Sequence, residues 1–217
     1  MPQVPFLCLA LTGCASVWTH PRFETLSADH TSVAVLPIDY TLDRRKLKRG
    51  LTPEDIAAEE RKVARVLQWA VRDTLVELDD EAPWRGDVQR PSDTNRRLEA
   101  AGLSPAQARD TDPAALAALL EVDAIVSGDA VAEQLLRRGE AVVFQVLAGM
   151  GGGTAVTPTE DVTVNLRIHG ADDGTLLWRC ESGDQGDALA TPERVTKRLF
   201  SECAEYFPYS EDPLDAG

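Results

Sequence analysis

Two short apolar segments, one on each side of a helical stretch, set the fold of this chain. The first is Ser32-Val33-Ala34-Val35-Leu36-Pro37-Ile38-Asp39, and the second is Asp123-Ala124-Ile125-Val126-Ser127-Gly128-Asp129-Ala130-Val131. Each is short, β-branched and nearly all apolar, the pattern of a strand buried on both faces. Between them Thr52 reads as an N-cap, Pro53 as the first helical residue, and Glu54 and Asp55 as first-turn acids. Ile56, Val63, Leu67, Ala70 and Leu78 then recur at helical spacing, which predicts a helix to about Asp79. Residues 80–91, with Pro83, Gly86 and Pro91, read as a break. A short helix over Thr94–Ala101 ends at Gly102, the position glycine favours after a helix. Ser104-Pro105-Ala106-Gln107 is a capping box. Asp112-Pro113 opens a helix over Ala114–Glu121, with Leu116, Leu119 and Leu120 inward. Strand, helices and strand in this order predict two parallel strands in one sheet.

The C-terminal half reads differently. Residues 140–148 are largely apolar and run into Gly149-Met150-Gly151-Gly152-Gly153. Val162–Ile168 alternates apolar and polar, Leu176–Cys180 follows, and Asp172-Asp173-Gly174 between them is a hairpin turn. A last helix is predicted from Pro192 to Tyr206, with Val195, Leu199, Cys203 and Tyr206 or Phe207 inward. The tail, residues 208–217, is acidic and is predicted to be disordered. The expected class is α/β, with a mixed sheet in two or three layers and flanking helices. Its first two strands are parallel, its C-terminal hairpin is antiparallel, and a single domain spans 32–207.

A formal net charge of −14 argues against nucleic-acid binding, which needs clustered Lys and Arg against phosphates. The one basic cluster, Arg44-Arg45-Lys46-Lys48-Arg49, is followed by Glu54, Asp55, Glu59 and Glu60. It reads as a solvated loop, with contact to anionic lipid head groups as the alternative.

The amino terminus carries a second constraint. An apolar run, Val4 to Leu11, closes in Leu11-Thr12-Gly13-Cys14, although no Lys or Arg precedes Cys14. The run is far shorter than the roughly 20 residues that span a bilayer, and it fits the h-region of a secretory signal. The four closing residues match the lipobox of bacterial lipoproteins. The match implies that residues 1–13 are removed as a signal peptide. Cys14 then becomes the first residue and carries fatty-acyl chains such as palmitate, two or more of which make anchoring stable. Residues 14–31, with His20-Pro21 and Ser27-Ala28-Asp29, read as a tether with a reach of roughly 55 Å. Ala15 is not the aspartate that retains many such proteins in the inner membrane, which points to the periplasmic face of the outer membrane. Cys8 lies in the leader. Cys180 and Cys203 remain, either as a disulfide or as two buried thiols.

Three segments resemble a group of bacterial envelope lipoprotein domains. The group includes the curli secretion channel lipoprotein, the activator lipoproteins of penicillin-binding proteins, and the amino-terminal domain of the Tol system's β-propeller protein. Val33-Ala34-Val35-Leu36-Pro37 looks like the opening strand of that group. Leu116 to Val131 looks like its helix and second strand, with the characteristic Gly128. Val164 to Ile168, followed by Asp173-Gly174-Thr175-Leu176-Leu177-Trp178, looks like its final hairpin, which often ends in a Trp. The resemblance implies a non-enzymatic module that binds or assembles another envelope protein. Self-assembly is left open, and fold likeness names no partner.

Other chemistries find little support. The Gly149–Gly153 run is followed by Thr154-Ala155-Val156 and lacks the Lys of a phosphate loop. It remains the basis of an alternative reading as a periplasmic small-ligand-binding protein. His20, His30 and His169 are scattered, and His169 beside Asp172 and Asp173 reads as a solvated strand-end residue rather than a metal ligand. A Cys/His hydrolase built on Cys180 and His169 is the second alternative, and needs the base beside the thiol. No catalytic, metal or cofactor site is expected.

Overall fold

The computed structural model describes residues 15–42, 52–81, 86–134, 160–186, 192–204 and 206–209. Cys14, the basic cluster at 44–49, and the 140–148 run with its glycines 149–153 lie outside the described residues.

Strand β5 (Ala124–Gln134) organises the sheet. The first apolar segment forms two strands along it, β2 (Ser32–Val35) and β3 (Asp39–Leu42), both parallel to β5. Sequence reading expected one continuous strand. Pro37 lies in the gap and has no N–H to give to a ladder, while Leu36 N still donates to Val126 O at 2.8 Å. On its other side β5 pairs with β6 (Glu160–Gly170), which pairs with β7 (Leu176–Gly186), both antiparallel. The parallel opening and the antiparallel hairpin are therefore as expected.

Helices cover the two faces unequally. On one face α2 (Pro53–Glu81) and α6 (Pro192–Ala204) enclose the larger core, which holds Val33, Val35, Leu67, Val71, Val164, Leu166, Trp178, Leu199 and Phe200. The cap of α2 is reciprocal. Thr52 Oγ1 accepts from Asp55 N at 3.1 Å, and Thr52 N donates to Asp55 Oδ2 at 3.0 Å. Hydrogen bonds from Thr52 hold the Asp55 carboxyl below its usual pKa. On the other face α3 (Pro91–Ala100), α4 (Pro105–Asp110) and α5 (Pro113–Leu120) enclose a smaller core with Ala34, Leu36, Leu98, Leu116, Leu120 and Ile125. The molecule is thus three layers deep at the β2 end of the sheet and two layers deep elsewhere.

The caps follow the sequence closely. Ser104 and Gln107 form the capping box, and Asp112 accepts from Ala115 N. After α3, Gly102 takes φ 72°, with Leu103 N bonded to Leu98 O and Gly102 N to Glu99 O. This is the left-handed closure that glycine makes without a Cβ penalty. Buried Gln68 of α2 was not anticipated. Its amide donates to Val35 O at 2.8 Å and exchanges hydrogen bonds with Asn95 of α3, so it joins the helices of both layers to β2.

Three further expectations are corrected. Residues 15–31 are not a free tether. Ser16–Thr19 forms β1, which pairs antiparallel with β7, and Phe23–Leu26 forms a turn of helix, α1, with Phe23 buried. The break at 80–91 contains β4 (Asp87–Val88), parallel to β2. Tyr209, which the sequence reading placed in the tail, is buried against Phe207 and Phe23, with ring centroids 5.2 Å apart in each pair. Tyr209 Oη also lies 2.5 Å from His30 Nδ1. Burial lowers the His30 pKa and, with Asp123 adding to it, raises that of the Tyr209 phenol. Phe23, His30 and Tyr209 therefore close on the same corner of the core. Among the described residues the order of the sheet is β1-β7-β6-β5-β2-β4, with β3 beside β5.

Gly128 sits in the middle of β5, where three elements meet. A Cβ there would lie 2.9 Å from Ile38 Cδ1, 3.0 Å from Leu166 Cδ2 and 3.1 Å from the Asn165 carbonyl oxygen. The two side chains can rotate away, but the paired strand's carbonyl cannot move without disturbing the ladder. Gly128→Ala is expected to destabilise the fold by about 1–3 kcal/mol. Chemical denaturation of the two proteins side by side checks this, and equal midpoints would contradict the packing described.

Candidate functional site

Strict alternation along β6 builds the site. Val162, Val164, Leu166 and Ile168 point into the larger core, so Thr163, Asn165, Arg167 and His169 point to the opposite face. Register then sets the neighbours. Asn165 stands between Asp129 of β5 and Glu181 of β7, and Glu181 faces Ser16 of β1. Arg167 stands between Ser127 and Arg179, and Arg179 faces Trp18. Thr163 stands between Val131 and Gly183. Helices α3 to α5 cover only the Ile125 end of this face. Val131, Thr163, Arg179, Glu181, Ser16 and Trp18 are all exposed.

The centre of the face is ordered. Arg167 Nη1 donates to Asp129 Oδ1 at 2.6 Å, and Asn165 Nδ2 donates to Asp129 Oδ2 at 3.0 Å. The Arg167 and Asp129 side chains are 35% and 29% exposed. A pair so open to water contributes at most about 1 kcal/mol. Its consequence is positional: both carboxylate oxygens and the guanidinium are held at fixed points on a rigid sheet. Such a surface can present an ordered set of charges and amides to a complementary protein.

At the N-terminal end of β5, Asp123 Oδ2 accepts from Thr31 N, Thr31 Oγ1, Ser32 N and Ser32 Oγ, at 2.8 to 3.0 Å. Partial burial works against ionisation, but these four bonds outweigh it and hold the carboxyl below its usual pKa. This is a clamp between β2 and β5 made through Oδ2.

The residues singled out from sequence fall in different places. Cys180 of β7 and Cys203 of α6 are fully buried and joined by a disulfide, with Cα atoms 5.7 Å apart. His169 is half-buried rather than solvated. Its Nδ1 is buried with no hydrogen-bond partner among the described residues, and burial, reinforced by Arg167, lowers its pKa. Cys180 pairs with Leu166 on the core face, whereas His169 pairs with Ile125 on the other. The Cys/His hydrolase reading therefore fails twice: the sheet separates the groups, and the sulfur is already bonded. Asp173 is occupied with Thr175 N at 2.9 Å, and no cluster of three or more metal-ligating side chains occurs among the described residues. The Asp129–Asn165–Arg167 group was not singled out, although the polar half of the Val162–Ile168 alternation was its visible signal.

No protein-family model and no curated protein matches the sequence. Solved structures are similar to it at low identity. The PelC dodecamer from Paraburkholderia phytofirmans is 15% identical, covering 88% of this chain and 93% of that one, with a TM-score of 0.44. Lipoprotein GNA1162 from Neisseria meningitidis is 11% identical, covering 81% of this chain and 96% of that one, with a TM-score of 0.45. The LpoB C-terminal domain from Salmonella enterica is 9% identical, covering 76% and 94%, with a TM-score of 0.35.

Proposed function

We propose that this chain is a lipid-anchored module of the bacterial cell envelope that binds or assembles another envelope protein and is not an enzyme. Cys14 is its acylation site, and the periplasmic face of the outer membrane is its location. The disulfide carries the reading. The chain has four cysteines, Cys8, Cys14, Cys180 and Cys203. With Cys180 and Cys203 bonded to each other, and Cys8 in the leader, Cys14 is the one thiol left in the mature chain. A disulfide inside the core suits an oxidising compartment, and Leu11-Thr12-Gly13-Cys14 supplies the route there. The open face around Asp129, Asn165 and Arg167 is the surface offered to the partner.

Growth with a radioactive fatty acid tests the anchor. Label is expected on the wild type and is lost in Cys14→Ala; an unlabelled wild type sinks the proposal. Binding is tested with Val131→Arg/Thr163→Arg, which adds two charges at adjacent exposed positions of the open face. Recovery of a co-purifying envelope protein is expected to fall at least tenfold. The unfolding midpoint should move by only about 2 °C, as for exposed positions in general. Unchanged recovery would move the partner to another surface.

A further inference from the structure

We infer that β1 is a membrane seat: it sets the sheet edge-on upon the bilayer, with Val17 and Trp18 entering the headgroup layer beside Cys14. The inference rests on the reading of Cys14 as the lipid anchor. Only Ala15 separates that cysteine from Ser16, the first residue of β1, and Ala15 is itself packed against the larger core. The anchor therefore has no length of chain with which to stand away from the surface. At about 3.4 Å per residue, Trp18 is at most roughly 14 Å along the chain from Cys14.

The side chains at this place suit a bilayer interface. Among the described residues β1 is the outermost strand of its side of the sheet, and all four of its residues are exposed. Val17 is 39% and Trp18 40% exposed, so large apolar groups project from both faces of one edge strand. Tryptophan is favoured at headgroup level, where its ring is apolar and its N–H stays wet. A headgroup layer is about 5–7 Å deep on each side, and neighbouring strands are about 4.8 Å apart. β1 and its partner β7 therefore lie in or at the layer. Asp129 on β5, three strands away, stands about 14 Å above β1 with the open face upright in the aqueous phase. The seat and the binding face do not compete.

The charge identifies the lipid. At a formal −14 the chain is repelled by an anionic surface, so the seat takes zwitterionic lipid and its occupancy is insensitive to salt.

The test uses the full chain produced with its leader, purified with its acyl group and reconstituted in phosphatidylcholine vesicles carrying bromine at a shallow chain position. Wild-type fluorescence is expected to be quenched at least twofold more than that of Trp18→Phe, which retains Trp69, Trp84 and Trp178. Acylation is read separately from fatty-acid label. Labelled Cys14 with equal quenching in both proteins overturns the seat and leaves the anchor standing. Absence of label removes both. Hydrogen exchange at Ser16–Thr19 slowed by soluble envelope protein, and not by vesicles, would give the edge to a protein strand and overturn the seat.

Discussion

Replacing both Cys180 and Cys203 by alanine is expected to lower the stability of the fold by about 3 kcal/mol. The bond ties β7 to α6 across 23 residues of sequence. Closing a loop of that length removes denatured-state entropy worth about 3 kcal/mol at 25 °C. Two features keep the effect from being smaller. Both sulfurs are fully buried in the larger core, so reduction leaves two thiols that cannot reach water. Helix α6 also covers β6 and β7 through Leu199, Phe200 and Cys203, and the disulfide is the covalent hold on that cover. For a chain of this size the midpoint of thermal unfolding should fall by about 6–12 °C. Dithiothreitol should move the wild type by a similar amount and leave the double variant unmoved. If reductant shifts both proteins equally, the disulfide is not the cause. Thiol titration of the denatured wild type without reductant should find neither Cys180 nor Cys203 reactive. The same number bears on location, since a domain that gains this much from oxidation depends on the compartment in which it folds.

What the sequence made legible is what short-range physics decides. Ser104 with Gln107, Asp112 before Pro113, and Gly102 after α3 act within four residues of themselves, so their caps are readable without knowing the fold. The period-two pattern of Val162–Ile168 and the apolar runs at 33–38 and 124–131 likewise state which faces are buried. What stayed hidden depends on residues far away in the chain. Ser16-Val17-Trp18-Thr19 is too short to show a period and is a strand because β7 offers it an edge. Tyr209 is buried because Phe23 closes over it and His30 takes its hydroxyl, 179 residues away. Gln68 would cost stability in a core if Val35 did not present a carbonyl to it. The candidate site has the same character. That Asn165 and Arg167 share a face was readable. That α3 to α5 stop short and leave this face open is a property of the assembled sheet. The tether is the instructive case, because His20-Pro21 and Ser27-Ala28-Asp29 are turns and bends as they look in isolation, while Ser16–Thr19 just before them is a strand only through its pairing with β7.

Trp178→Ala is expected to cost about 3–5 kcal/mol, the largest loss from any single side chain discussed above. Trp178 is the largest fully buried residue among the described residues. It stands on β7 opposite Ile168 and meets Phe207 edge-on, with centroids 6.1 Å apart at 78°. Removing it empties the point where β6, β7 and the C-terminal aromatic cluster of Phe207, Tyr209 and Phe23 converge. The backbone there is held by the sheet ladder and by Cys180 two residues on, so the cavity cannot collapse. A second variant isolates the volume effect. The indole Nε1–H is buried without a hydrogen-bond partner among the described residues. Trp178→Phe therefore removes volume but no hydrogen bond, and should cost about 1–2 kcal/mol. Equal losses for alanine and phenylalanine would contradict the volume account. A loss near zero for both would place Trp178 outside the core. Because Trp178 belongs to β7, the strand that carries β1, and faces Thr19 there, the alanine variant should also loosen the edge, speeding hydrogen exchange at Ser16–Thr19 more than in β2. That coupling would set the edge strand β1 and the aromatic core in one cooperative unit, so the residue that stabilises the fold also holds the edge in place.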